Sequence, residues 1–119
     1  LTSQDTFPLP VVDIPYDLYE SLMECIVIVP LGGVKKESIV LTWEGKHIRI
    51  SADRPQPDFH TSFHTHVAHA YWGPFSQIVP LPEITIAYDK VVSELSPENI
   101  LTIRIPKITQ PDTIALHVR

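Results

Sequence analysis

The stretch IVLTWEGKHIRISA, residues 39–52, decides the fold class. Ile39, Leu41 and Trp43 share one face at period two, with Val40 and Thr42 on the other. Ile48, Ile50 and Ala52 repeat the pattern, while His47, Arg49 and Ser51 alternate outward. Between the two runs stands Glu44-Gly45-Lys46, where Gly45 supplies the positive φ of a tight hairpin turn. Two alternating runs joined this closely pair antiparallel, each with one apolar face to bury.

The flanking segments carry the same signal. Towards the N-terminus, CIVIV (25–29) is a buried-strand run closed by Pro30 and the turn LGG. DLYESLME (17–24) is the best helical window in the chain, yet at eight residues it serves equally as a strand or turn. VVDIPY (11–16) reads as an edge strand or bend around Pro15. Towards the C-terminus, residues 53–74 form a long polar and aromatic connection with one short strand expected near 62–67. FSQIVPLP (75–82) is a strand ended by prolines, and 83–95 continues in β-branched residues. ILTIRIP (100–106) alternates with Leu101, Ile103 and Ile105 on one face. The sum, about seven or eight short strands with frequent turns, is an all-β, antiparallel immunoglobulin-like β-sandwich. Residues 1–9 read as an N-terminal arm, 10–107 as the sandwich domain and 108–119 as a C-terminal tail. Because the chain opens on Leu1, part of the arm is expected to be missing.

Composition agrees and excludes other classes. Twelve prolines against four glycines in 119 residues leave few windows for a helix. Apolar residues make up 44% of the chain, too many for disorder. The net charge of −5 argues against nucleic acid as a partner. No apolar run approaches the ~18 residues of a membrane span, so no membrane partner is expected. A single cysteine, Cys25, rules out an intrachain disulfide, sits in an apolar run as a small hydrophobe, and fits a reducing, cytoplasmic setting.

Motifs for chemistry are scarce. Glycine-rich phosphate loops, GxSxG, HExxH and CxxC are all lacking, so the chain does not read as an enzyme and no cofactor is expected. His60, His64, His66 and His69 cluster in the long connection. Imidazoles at HxH spacing can bind a metal, or can change the charge of a loop near pH 6. No carboxylate follows closely, and a solvated loop is the preferred reading, with no metal assigned. Asp13, Asp17, Glu20 and Glu24 fit no one strand face and read as a solvated edge. Trp43 reads as core, and Trp72 and Phe75 as anchors or interface contacts at a turn. The tail places Ile114, Leu116 and Val118 at period two beyond a proline break. Such a stripe must pack on something, and docking on another subunit by strand addition is preferred to a return onto its own core.

Several of these stretches carry a family resemblance. PVVDI, IVPLGGVKKESIVLTWEGKHIRISADR (28–54), YWGPFSQIVPLP (71–82), ILTIRIPK (100–107) and the tail Ile114-Ala115-Leu116 together resemble the α-crystallin domain of small heat-shock proteins. Gly32, Ser38, Gln77, Ser93 and Asn99 stand where the family commonly has proline, aspartate, arginine, alanine and glycine. Asn99 tolerates the left-handed backbone that glycine would provide.

The resemblance implies an ATP-independent holdase that binds partly unfolded clients as a homodimer or higher homo-oligomer. It implies dimerisation by strand exchange on the connection 55–72, with Phe59, Phe63, His64, His66, Tyr71 and Trp72 as contact residues. It also implies a groove at a sheet edge for tail or client, formed by Ile39, Leu41, Val91 and Val92. The alternative reading is a CS-domain-like co-chaperone or adaptor, monomeric and bound to one dedicated partner.

Overall fold

The computed structural model describes residues 9–59 and 62–108. Among them are seven strands and no α-helix: β1 (Asp17–Glu20), β2 (Glu24–Pro30), β3 (Val40–Glu44), β4 (His47–Arg54), β5 (Gly73–Pro80), β6 (Val92–Leu95) and β7 (Ile100–Pro106). They form a four-stranded sheet ordered β1-β2-β7-β6 and a three-stranded sheet ordered β3-β4-β5, with every strand pair antiparallel. The two sheets close on one apolar core, so the chain is the expected β-sandwich.

The register follows from the alternation. Cys25, Val27 and Val29 of β2 stand opposite Ile105, Ile103 and Leu101 of β7, and all six are buried. Across the core, β4 presents Ile48, Ile50 and Ala52. These stand opposite Val79, Gln77 and Phe75 of β5. A one-residue slip in either pair would turn a whole apolar row to solvent. Each fully buried Ile, Val or Phe adds ~1.5–3 kcal/mol relative to exposure. Burial, reinforced by the Glu20 carboxylate, holds the Cys25 thiol protonated beyond its ordinary range.

Turn chemistry fits the local sequence. Gly45 is the first of two central residues between paired Glu44 and His47, with φ of 63°, the arrangement of a II′ hairpin. Asn99 adopts φ of 65° before β7, as its sequence position requires. β2, β5 and β7 each end on a proline, which lacks the N–H needed to extend the ladder. Ser38, in the 3₁₀ turn Lys36–Ser38, accepts from Asp53 N at 2.9 Å and donates to Lys35 O at 2.6 Å. Gln77 lies in the core row, yet both ends of its amide are satisfied. Its Oε1 accepts from Ile14 N at 2.5 Å and its Nε2 donates to Ile78 O at 2.8 Å.

Four expectations need correction. Residues 11–16 are not a strand: Val11 makes one parallel bridge to Ser76, and Ile14 then turns into the core. Near 62–67 there is no strand among the described residues, and a strand there would need a neighbouring strand to receive its backbone groups. Residues 83–95 are interrupted by the 3₁₀ turn Tyr88–Lys90, since the chain must pass here from one sheet to the other. Trp43 is 36% exposed and not core, because β3 is an edge strand.

Candidate functional site

Two edge strands, β3 and β6, each have a single hydrogen-bonded neighbour. Their register shows which side chains face inward. Leu41 stands opposite buried Ile50, and Trp43 opposite buried Ile48. On β6, Ser93 stands opposite buried Ile103, and Leu95 opposite Leu101. Paired residues share a sheet face, so Ile39, Leu41 and Trp43 on one edge and Val91, Ser93 and Leu95 on the other all point between the sheets.

These inward rows are incompletely covered. Ile39, Leu41, Val91 and Leu95 are only half-buried against the core. Ser93 faces in and is still exposed. On both edges, core-facing apolar side chains are thus left open to solvent. Covering them would recover part of the ~25 cal/mol per Å² that apolar burial supplies. Of the four residues expected to line a groove, Ile39, Leu41 and Val91 face inward on their own strands. Val92 alternates to the outer face opposite Arg104 and is half exposed.

Trp43 and Tyr88 meet edge-to-face, with ring centroids 5.1 Å apart and planes at 86°. Beyond them Lys46 pairs with Glu83, and Leu81 N donates to Lys46 O at 3.0 Å. The Glu83 carboxylate holds the Lys46 ammonium above its ordinary range, and is itself held below the usual carboxylate range by that lysine. A small cleft of about 200 Å³ lies under this tip, lined by Gly45, Leu81, Ile84, Ile86 and Tyr88 among others. On the outer face of the β3–β4 hairpin, Arg49 Nε donates to Glu44 Oε2 at 2.7 Å, and His47 Nε2 lies 3.1 Å from Glu44 Oε1. Those two partners, Arg49 first, hold the Glu44 carboxyl below the usual range.

The long connection is a second apolar surface. Phe59, Phe63, His64, His66, Val67 and Trp72 line an open cleft of about 600 Å³. The Phe59 and Phe63 rings lie 6.3 Å apart, and all six residues are exposed. Tyr71 differs from them. It is half-buried, its hydroxyl donates to Pro74 O at 2.7 Å, and its ring stands edge-on to Phe75 at 5.7 Å. Tyr71 therefore roots the connection in the core. His64, His66 and His69 are exposed along it, while His60 lies outside the described residues. Among the described residues no three His, Cys, Asp or Glu side chains are grouped to hold a metal ion. No helix among them is long and apolar enough to cross a membrane.

The tail residues Ile114, Leu116 and Val118 also lie outside the described residues. The early carboxylates do not converge. Glu20 pairs with Lys107 at 2.6 Å and Glu24 with Arg104 at 3.0 Å, while Asp13 is exposed and Asp17 accepts from Tyr19 OH at 3.3 Å. Sequence reasoning missed Trp43, Ser93, Leu95 and Tyr88 as groove residues. The period-two row Val91, Ser93, Leu95 was legible, but Tyr88 enters through a turn and carries no such signal.

Comparisons with known proteins come to the same architecture. No curated protein sequence matches the chain at a significant level. Among solved structures, HSP18.5 from E. histolytica is similar, with 17% identity and a TM-score of 0.67, covering 91% of this chain and 100% of that one. Heat shock protein 16.0 from Schizosaccharomyces pombe shares 23% identity with a TM-score of 0.68, over 89% of this chain and 99% of that one. A small heat-shock protein from Xylella fastidiosa shares 19% identity with a TM-score of 0.65, over 90% of this chain and 98% of that one. At these identities the likeness speaks to fold alone. The sequence profile of the Hsp20/alpha crystallin family, however, matches residues 20–118, nearly the whole chain. This protein, a β-sandwich with half-covered apolar side chains along two sheet edges, belongs to the Hsp20/alpha crystallin family.

Proposed function

We propose that the protein is an ATP-independent holdase that binds partly unfolded proteins and suppresses their aggregation, working as a dimer or larger homo-oligomer. The observation that carries this reading is the row of inward-facing apolar side chains left half-covered along β3 and β6, which in this reading line one groove. Partly unfolded chains expose apolar side chains and strand edges, and aggregate through both. A groove that offers apolar contacts beside two unpaired strand edges competes for those same segments and needs no chemistry. At rest, the period-two stripe Ile114, Leu116, Val118 of another subunit occupies it.

The connection 55–72 supplies the dimer contact in this reading. Its exposed Phe59, Phe63, Val67 and Trp72 form an apolar surface that a second copy would cover. Removing residues 58–70 is expected to abolish dimers, as read by light scattering after size exclusion. A dimer that survives would place the contact elsewhere, and a wild-type chain that is strictly monomeric would favour the adaptor reading. The activity itself is tested with a heat-labile client. Its turbidity on heating falls in the presence of equimolar full chain, and Leu41→Glu, which sets a charge in the groove, removes the protection. Protection unaffected by Leu41→Glu would contradict the groove as the working surface.

A further inference from the structure

β5 lies at the end of its sheet, ordered β3-β4-β5, yet its outer side is largely occupied. Backbone groups of alternate residues point to the same side of a strand. Ser76 turns its N–H and C=O away from β4, since its N donates to Pro10 O at 2.8 Å and its O accepts from Val12 N at 2.9 Å. Pro74, Ile78 and Pro80 present their backbone groups on that same side. Pro74 and Pro80 have no N–H to offer. Pro74 O accepts from the Tyr71 hydroxyl at 2.7 Å, and Ile78 O accepts from Gln77 Nε2 at 2.8 Å. With Ser76 N taken, Ile78 N is the one N–H left on this edge. By contrast, the edge strands β3 and β6 contain no proline. The cover over Ser76 is a short segment, residues 10–14. Val11 within it is 60% exposed, and its deep anchor is Ile14, 5% exposed. Gln77 serves the edge twice. Its Oε1 accepts from Ile14 N at 2.5 Å and holds the segment down, while its Nε2 occupies Ile78 O.

We propose that residues 10–14 are a strap, with Gln77 as its clasp, that closes the β5 edge against pairing with β5 of a second copy. Once bared, this edge fits a copy of itself. About a two-fold axis at Gln77, Ser76 of each chain stands opposite Ile78 of the other, and each such pair exchanges both N–H···O bonds. Pro74 and Pro80 bound that ladder and keep it short. A strap with few bonds competes with it because the strap is tethered to the same chain, so its local concentration is high. The strap thus leaves strand addition to the other edges, whichever segment docks there. Gln77 acts as a positioning residue, and the neutral amide suits the place because it accepts for Ile14 N and donates to Ile78 O at once.

The test uses the full chain and reads the edge in two ways. The first is amide hydrogen exchange at Ser76, followed by fragmentation mass spectrometry. Val12→Pro, which removes the N–H bonded to Ser76 O, and Gln77→Leu, which removes the clasp, are each expected to speed exchange at Ser76 by ~10-fold, with β2 and β7 amides unchanged. The second is a cross-link. In the proposed pairing the two Gln77 positions meet as a non-hydrogen-bonded pair, with Cα atoms ~4.5 Å apart, within the range a disulfide spans. Gln77→Cys is expected to give a disulfide-linked dimer on a non-reducing gel, ~5-fold faster when Val12→Pro is added. The wild type gives none, because Cys25 is 0% exposed. If Ser76 exchange is unchanged in both variants, the strap does not close the edge and the proposal falls. If exchange rises but Gln77→Cys with Val12→Pro stays uncross-linked, the bared edge does not pair with a second copy, and the proposal falls equally. Should Gln77→Leu loosen β2 and β7 as well, Val12→Pro, which removes no fully buried side chain, decides alone.

Discussion

β3 and β4 lie side by side in one sheet and carry the same alternating pattern, yet their inward rows end differently. Ile48 and Ile50 of β4 are 2% and 0% exposed, while Leu41 and Trp43, directly opposite them, stay partly open. The difference lies in the neighbours, not in the residues. β4 is flanked by strands on both sides, and β3 on one only. Period-two alternation states that a face is apolar; whether that face is covered depends on what pairs alongside it. β7 and β6 repeat the lesson in the other sheet, with buried Ile103 opposite exposed Ser93.

Substitutions can break this comparison. The largest effect on stability is expected at Ile50, where Ile50→Ala opens a cavity in a closed core and costs ~2–5 kcal/mol in urea unfolding. Leu41→Ala, across the same register pair, should cost about 1 kcal/mol or less, because much of its surface is already in water. Its main effect is instead a loss of client protection in the turbidity assay. Equal destabilisation at the two sites would mean that the groove is closed in solution. The smallest effect lies on the outer face of the same hairpin. Arg49 and His47 hold the Glu44 carboxyl below the usual range, so its contribution is complete above the ordinary glutamate value of ~4.3. It is lost as pH falls below that value. Glu44→Gln should therefore lower the thermal midpoint slightly at neutral pH and converge with wild type in strong acid. A variant whose midpoint tracks wild type at every pH would show that the pair contributes nothing.

Much of the sandwich was legible because its inner strands are long enough to alternate and are bounded by prolines. HIRISA and ILTIRIP were each read with the correct inward row, and CIVIV as a buried strand, where the structure buries only Cys25, Val27 and Val29 fully. The errors fall where structure depends on distant partners. Glu20 and Glu24 had no visible counterpart in sequence, because Lys107 and Arg104 lie 87 and 80 residues away respectively. The strand expected near 62–67 has apolar residues, but a strand also needs a neighbouring strand, which no local pattern announces. Gln77 was legible as a departure from an expected arginine, but not as the acceptor for Ile14 N that fixes the entering segment to the core. At the sheet edges, Ile39, Leu41, Val91 and Val92 were expected from the family resemblance, and strand period accounts for the inward side of Ile39 and Leu41 alone. Val91 and Val92 cannot both face inward, because adjacent residues on a strand face opposite ways. Tyr88 meets Trp43 through a tertiary contact that no local pattern announces.

The most direct test of the groove as a docking surface is the mass of the full chain carrying Ile114→Ala and Leu116→Ala, measured by light scattering after size exclusion, with the urea midpoint alongside. The account predicts a smaller assembly with an unchanged midpoint, because the tail covers another subunit's groove and not its own core. An assembly of unchanged mass, or a chain that unfolds, would contradict it.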